Sequence, residues 1–316
     1  VVAAQGLSGI AKDLTKMSSK SAIKLVIPDD AHGTLFKWVA LLTGSKNTLK
    51  GVGFFLGGLL LGTLGFELAL YSMATVLAVV LLMAAFLLPG KLGQAKEKEK
   101  LSRLFSKTPE INLLSAARFF LFGARDVWFV VGVPVFLYGT LHWTFSEVGS
   151  FLAVWVIGYG VVQAVVPGFV ARSADGRTSE TRAARQWAFV LGLIPIAIVI
   201  AMTLDERLAL SWLTPGWVII VGLGAFGVAF AINSSLHSYL ILAFTDTDKV
   251  ALNVGFYYMA NAGGRLVGTF LSGVMYQAAG LAGCLLTASA LIGASWLITL
   301  ALPVGRRDVD AAVPWS

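Results

Sequence analysis

Long apolar runs separated by short polar clusters dominate this chain. A hydrocarbon core is crossed by about 20 such residues in a helix, and runs of that kind lie at 51–66, 68–89, 116–138, 147–170, 187–204, 216–244, 252–278 and 281–304. Glycine and proline interrupt several of them, which membrane helices tolerate where neighbours satisfy the freed backbone groups. The pattern predicts an all-α polytopic membrane protein with about eight transmembrane helices. Its most polar linker, GKLGQAKEKEKLSRLFSKTPEIN (90–112), divides two spans from six. A six-helix bundle behind a long charged loop is what the second half of a six-plus-six transporter looks like. The expected division is therefore 1–90 as the remainder of an N-terminal six-helix half and 91–115 as a central cytoplasmic loop. Residues 116–305 form a C-terminal six-helix half and 306–316 a tail. On this reading the chain is N-terminally truncated, with residues 1–10 the end of a fourth helix.

Composition agrees with the membrane reading. Of 316 residues, 57% are hydrophobic and 13% charged, where a soluble domain carries about 25% charged residues. Mean hydropathy is +0.80, and the 34 glycines fit helices that pack in lipid. The net charge of +7 is thus a matter of membrane topology before nucleic acid. The single cysteine, Cys284, excludes an internal disulfide and a cysteine-based metal site. The opening VVAAQGLSGI lacks the basic start and cleavage-like end of a signal peptide.

Lysine and arginine counts set the orientation. Residues 11–50 carry seven, 91–118 seven, 171–186 four, 245–251 one and the tail two, whereas the alternate loops carry only Arg207. Both chain ends are therefore expected on the cytoplasmic side of the plasma (inner) membrane. The first basic cluster has its own pattern: GIAKDLTKMSSKSAIK (9–24) places Lys12, Lys16, Lys20 and Lys24 four residues apart, one slowly drifting stripe on a helix. Such a stripe suits anionic lipid, or a basic cytoplasmic mouth that concentrates an anionic substrate.

Two basic residues lie within apolar runs, Arg125 and Arg265. An ionisable side chain inside a span costs at least ~2.5 kcal/mol and marks a pathway or a buried partner. Guanidinium suits bidentate binding of phosphate or arsenate oxygens. Arg265 shares a helix face with Asn261, Tyr257 and Asn253, spaced by four. Asn233 and His237 pair in the same way on the preceding helix, as do Trp155, Tyr159 and Gln163 on another. Arg125, Arg265, Asn261, Tyr257, Asn233 and His237 are the candidate substrate contacts, with helix–helix hydrogen bonding the alternative for each. Asp126 and His237 are candidate proton carriers. Asp126 adjoins Arg125, but successive helical residues point about 100° apart and need not pair. Arg118, at the head of its run, is expected to snorkel to the interface. Gly53/Gly57, Gly58/Gly62 and Gly264/Gly268 are small-xxx-small pairs for close helix approach. TGSKNT (43–48) lacks the glycine spacing of a phosphate loop. The three histidines have no metal-ligand spacing, and no nucleophilic triad is visible. The residues therefore call for no cofactor and no metal, and argue against an enzyme.

The link GFVARSADGRTSETR (168–182) resembles the loop signature of the major facilitator superfamily through Gly168, Asp175, Gly176 and Arg177. It departs from that pattern, with Arg172 where an acid is expected and the Gly-Arg pair one residue late. NAGGRLVGTFLSG (261–273) is similar to the glycine-rich eleventh helix of such carriers. QGLSGIAKDLTKMSSKSAIK, LLTGSKNTLKGVGFFLGG and FGARDVWFVVGVPVFLYG together resemble the ArsJ-type organoarsenical efflux permeases. That resemblance implies a major-facilitator-type helical bundle exporting 1-arseno-3-phosphoglycerate and conferring arsenate resistance. It also implies a functional link to a glyceraldehyde-3-phosphate dehydrogenase that makes the substrate. Arg125 resembles, by helix position, one of the two arginines of the superfamily's organophosphate exchangers. An exchanger of ordinary phosphate esters is the alternative within the class, and a non-transporting membrane scaffold or sensor the alternative outside it.

Overall fold

The structure is a computed structural model that describes residues 15, 18–24, 26–28, 31–87, 108–171, 173–208, 214–246 and 249–304; the surroundings of side chains 54, 57, 58, 61, 62, 145, 146 and 205–208 lie outside that description. Every long element among the described residues is helical: α1 (His32–Leu87), α2 (Pro109–Phe129), α3 (Gly132–Gly139), α4 (Phe145–Val165), α5 (Thr178–Leu208), α6 (Pro215–Ala243) and α7 (Val250–Leu300). Residues 18–24 form a further short helical segment. Among the described residues six helices are long and apolar enough to cross a membrane, and the protein is an integral membrane protein.

Two of these helices are each two arms. The 51 residues of α7 would extend about 76 Å as one rod, more than twice a hydrocarbon core. The chain turns instead at Ala279 and Gly280, where Gly280 has φ 61° and ψ −155°, a conformation glycine adopts without a Cβ clash. α1 breaks likewise at Gly65, φ 72° and ψ 176°. The boundaries read from the sequence between 66 and 68 and between 278 and 281 fall at these breaks.

The polar ends of the helices were underestimated. The first arm of α1 begins at His32 rather than at 51, because residues 35, 36, 39, 40, 44 and 51 form a buried stripe while Lys37, Lys46 and Lys50 lie on the exposed side. α2 begins at Pro109 rather than 116, with proline in the first turn where its missing N–H costs nothing. α5 begins at Thr178, not 187. Residues 1–14, 88–107 and 305–316 are outside the described residues.

Glycines set the tightest helix contacts. A Cβ at Gly264 would run into the Phe119 carbonyl of α2, and one at Gly268 into the Gly123 carbonyl. α2 and α7 therefore touch backbone to backbone. α1 meets α4 in the same way through Gly44 and Gly160, while Gly53 faces open space. Where α2 breaks before α3, the Ser272 hydroxyl of α7 accepts from the N–H groups of Val131 and Gly132, both at 3.2 Å.

The link before α5 is a built joint. Gly176 (φ 61°) offers its carbonyl to the Tyr239 hydroxyl at 2.7 Å. Arg177 reaches across to the Ala243 carbonyl at the end of α6, 3.0 Å away. Asp175 accepts from the N–H groups of Arg177 and Thr178, both at 3.0 Å, and from the Thr178 hydroxyl at 2.6 Å. Burial would raise the Asp175 carboxyl, but hydrogen bonds from Ser173, Thr178 and Arg177 outweigh it and hold the group well below its ordinary value. Arg172 lies outside the described residues.

Candidate functional site

One stripe of α2 organises the interior. Arg118, Phe122, Arg125 and Phe129 follow at intervals of four, three and four, and therefore share one helix face. The Phe122 ring is bracketed by cations, with the Arg118 guanidinium carbon 3.7 Å from its centroid and that of Arg125 4.9 Å away. Arg125 also lies 5.7 Å from the Phe230 ring and 5.9 Å from Phe129. Beyond it, Trp128, Trp155, Tyr159, Phe226 and Phe230 form a continuous aromatic block. A cation on an aromatic face retains part of the attraction it loses on leaving water.

Arg118 does not snorkel. It is 4% exposed and stands about 14 Å, nine residues, along α2 from Pro109. Its Nε donates to Asn261 Oδ1 at 3.1 Å, and its Nη1 to the Ser234 carbonyl at 3.2 Å and the Ser234 hydroxyl at 2.9 Å. Tyr159 makes a 3.1 Å hydrogen bond with the same hydroxyl, and Gln163 Nε2 donates to it at 3.2 Å. Gln163 Oε1 in turn accepts from Asn47 Nδ2 at 2.5 Å. One polar network thus runs Asn47–Gln163–Ser234–Arg118–Asn261, through α1, α4, α6, α2 and α7.

Farther along the stripe, Arg125 and Asp126 do pair despite being neighbours in sequence. Asp126, buried on α2, accepts from Arg125 Nε at 2.7 Å through Oδ1 and from Arg265 Nε at 2.8 Å through Oδ2. One carboxylate therefore holds both sequence-predicted arginines and ties α2 to α7. Arg265 keeps 43% of its side chain exposed and Arg125 13%.

The remaining predicted residues divide between this interior and other places. Tyr257 is fully buried, with Arg118 5.0 Å from its ring centroid. His237 is fully buried, and neither of its nitrogens has a hydrogen-bond partner among the described residues. Asn233 points elsewhere, its Nδ2 donating to the Ala184 carbonyl of α5 at 2.7 Å. Asn253 donates to Thr245 near the α6–α7 link. Lys12 and Lys16 lie outside the described residues. Lys20 and Lys24 do not sit on a solvated face: they are 1% and 6% exposed. Lys20 Nζ lies 5.5 Å from the Tyr257 ring and 5.3 Å from Tyr258. Two surface clefts, of about 370 and 300 Å³, are lined by His32, Lys37 and Ser173 and by Phe169, Arg182 and Trp187, and by none of the interior residues. Among the described residues no three His, Cys, Asp or Glu side chains come together.

No family model matches the chain, and no curated protein is similar to it in sequence. Its fold, however, is shared with solved structures. A bacterial homologue of the iron transporter ferroportin, in an outward-facing state, superposes with a TM-score of 0.67 at 12% identity, over 92% of this chain and 69% of the other. The human organic anion transporter MFSD10 (TETRAN) gives a TM-score of 0.61 at 16% identity, over 90% of this chain and 67% of the other. The chain has the helical fold of major facilitator carriers, as its loop signature and glycine-rich helix led one to expect.

Proposed function

We propose that this protein is a secondary carrier that exports a small organic anion from the cytoplasm by alternating access, and that the anion is an arsenylated phosphoglycerate. The observation that carries the reading is charge: Arg118 and Arg125 lie in one interior built on α2, α6 and α7 with Arg265 at its edge, and among the described residues Asp126 pairs with Arg125 and Arg265 while Arg118 has neutral partners. Buried cations in excess of buried acids are costly in a low-dielectric interior unless an anion joins them. Guanidinium groups match the tetrahedral oxyanions of phosphate and arsenate. The likeness in fold to an organic anion transporter supports the same class of cargo, whereas the surplus of positive charge disfavours a metal cation.

Resemblance to organoarsenical permeases narrows the anion to 1-arseno-3-phosphoglycerate, supplied by a cytoplasmic glyceraldehyde-3-phosphate dehydrogenase acting on arsenate. Export across the plasma membrane then confers arsenate resistance. The arginines do not by themselves separate this ester from an ordinary phosphate ester, so the deciding experiment compares them. Everted vesicles containing the protein should accumulate 1-arseno-3-phosphoglycerate faster than 3-phosphoglycerate. Equal rates would identify an organophosphate exchanger. Uptake of ferrous ion but of neither ester would overturn the anion reading, and no flux of any of them would favour a scaffold or sensor.

A further inference from the structure

A buried ammonium group is normally paired with a carboxylate, because an unpaired charge away from water is expensive. Lys20 breaks that rule. Its side chain is 1% exposed, and Nζ has no hydrogen-bond partner among the described residues. Among the described residues the charged groups acting on it are Arg118 and Lys46, both cations. Among the described residues Arg118 in turn is held by neutral acceptors, Asn261 Oδ1, the Ser234 carbonyl and the Ser234 hydroxyl. Both cations approach the ring of Tyr257, with Lys20 Nζ 5.5 Å and the Arg118 guanidinium carbon 5.0 Å from its centroid. The hydroxyls of Tyr257 and Ser238 adjoin each other and the Arg118 guanidinium in this space, and both residues are buried.

We infer that Lys20 and Arg118 form a two-cation clamp for one phosphate-monoester or arsenate group, with the Tyr257 and Ser238 hydroxyls as its neutral donors. This deepens, and rests on, the reading of the protein as an anion carrier, and it assigns the oxyanion subsite to residues other than Arg125 and Arg265. Those two arginines already share Asp126, whereas among the described residues the Lys20–Arg118 pair meets no carboxylate and Lys20 Nζ has no hydrogen-bond partner. A dianionic group placed between them would neutralise both cations and accept from both hydroxyls. The chemistry is common to a soluble ester and a lipid headgroup.

The test uses the full-length protein in nanodiscs of neutral phosphatidylcholine, with 3-phosphoglycerate as the probe. Binding is measured by calorimetry and by the ligand-induced shift in melting temperature. Lys20→Met removes a charge that has no partner among the described residues. It should raise the melting temperature of the empty protein, abolish the ligand-induced shift and weaken binding by about tenfold or more. Lys20→Arg should stay within a few-fold of wild type, and Lys249→Gln, on an exposed link, should change nothing. Lys20→Met that melts below the wild type, fails to fold, or binds the ester normally overturns the clamp. In parallel nanodiscs containing phosphatidic acid, a loss of 3-phosphoglycerate binding that depends on Lys20 identifies the lipid headgroup as a second source of the same group. Wild-type protein that transports esters while Lys20→Met binds them normally sinks the clamp alone. Lys20-dependent binding with no flux in vesicles sinks the carrier reading and keeps the clamp. A wild type that binds neither 3-phosphoglycerate nor phosphatidic acid sinks the clamp whatever the flux.

Discussion

Asp126 decides what Arg125 and Arg265 are free to do. Its two oxygens each hold one guanidinium, so an anion of the proposed kind would have to compete there with a carboxylate already in place. Asp126→Asn keeps the shape and removes that competitor. Anion affinity should rise several-fold, while the melting temperature falls because two cations lose their counter-charge. Unchanged affinity in calorimetry, at normal yield, would show that the carboxylate and the substrate do not compete. Arg125 and Arg265 were legible in the sequence because a charge inside an apolar run stands out. Their mutual carboxylate was not, since helical geometry alone sets Asp126 about 100° away from Arg125 and only the side-chain torsions close the pair. Arg118 was misread for a different reason. With the helix taken to start at 116 it lay at the interface, but the start at Pro109 carries it about 14 Å inward.

At the scale of elements, the contact of α2 with α7 depends on missing side chains. Gly268→Ala would drive a methyl group into the Gly123 carbonyl, where the neighbour is backbone and cannot swing aside. Gly273→Ala, one and a half turns on, meets nothing within 4 Å. The first should sharply lower folded yield in a detergent-extraction assay and the second should leave it unchanged; equal yields would mean that the helices are not in backbone contact. The joint before α5 gives a pH prediction. Asp175 has a folded value below its ordinary 3.8, so its contribution to stability is present above that value and is lost as pH falls through the folded one. Asp175→Asn should therefore melt below wild type at pH 7, and the gap should close under strong acid; a gap that widens there would contradict the hydrogen bonds drawn for Asp175. Glycine-rich α7, its break, and the Asp175-Gly176-Arg177 link were readable because glycine, proline and charge punctuate the sequence locally. The burial of Lys20 was not, because a lysine stripe at four-residue spacing has the same pattern whether it faces water or the rings of Tyr257 and Tyr258, and only the packing of the 18–24 segment beside α7 distinguishes them.

At the scale of the whole molecule, carriers that work by alternating access must transmit occupancy of a central site to helices that move. The network Asn47–Gln163–Ser234–Arg118–Asn261 joins five helices through side chains, and Gln163 is the link between α1 and the rest. It is fully buried, accepts from Asn47 and donates to Ser234. Around it the backbones of α1 and α4 touch at Gly44 and Gly160, beside the small side chains of Thr48 and Ala164, a contact suited to sliding once its polar pin is withdrawn. Gln163→Met is close in volume and makes neither hydrogen bond. It leaves Arg118 its bonds to Ser234 and Asn261, so equilibrium binding of 3-phosphoglycerate should remain within about threefold of wild type. Vesicle flux should fall by about tenfold or more if the pin couples the Arg118 site to α1, as expected for a chain of packed polar contacts with two arrangements. A parallel Asn47→Ala variant should show the same split, and the double variant should lose little more, since both break the same Asn47–Gln163 bond. If binding and flux fall together in Gln163→Met, the residue supports the site itself; if neither changes, the link between α1 and Arg118 carries no coupling and the two move independently.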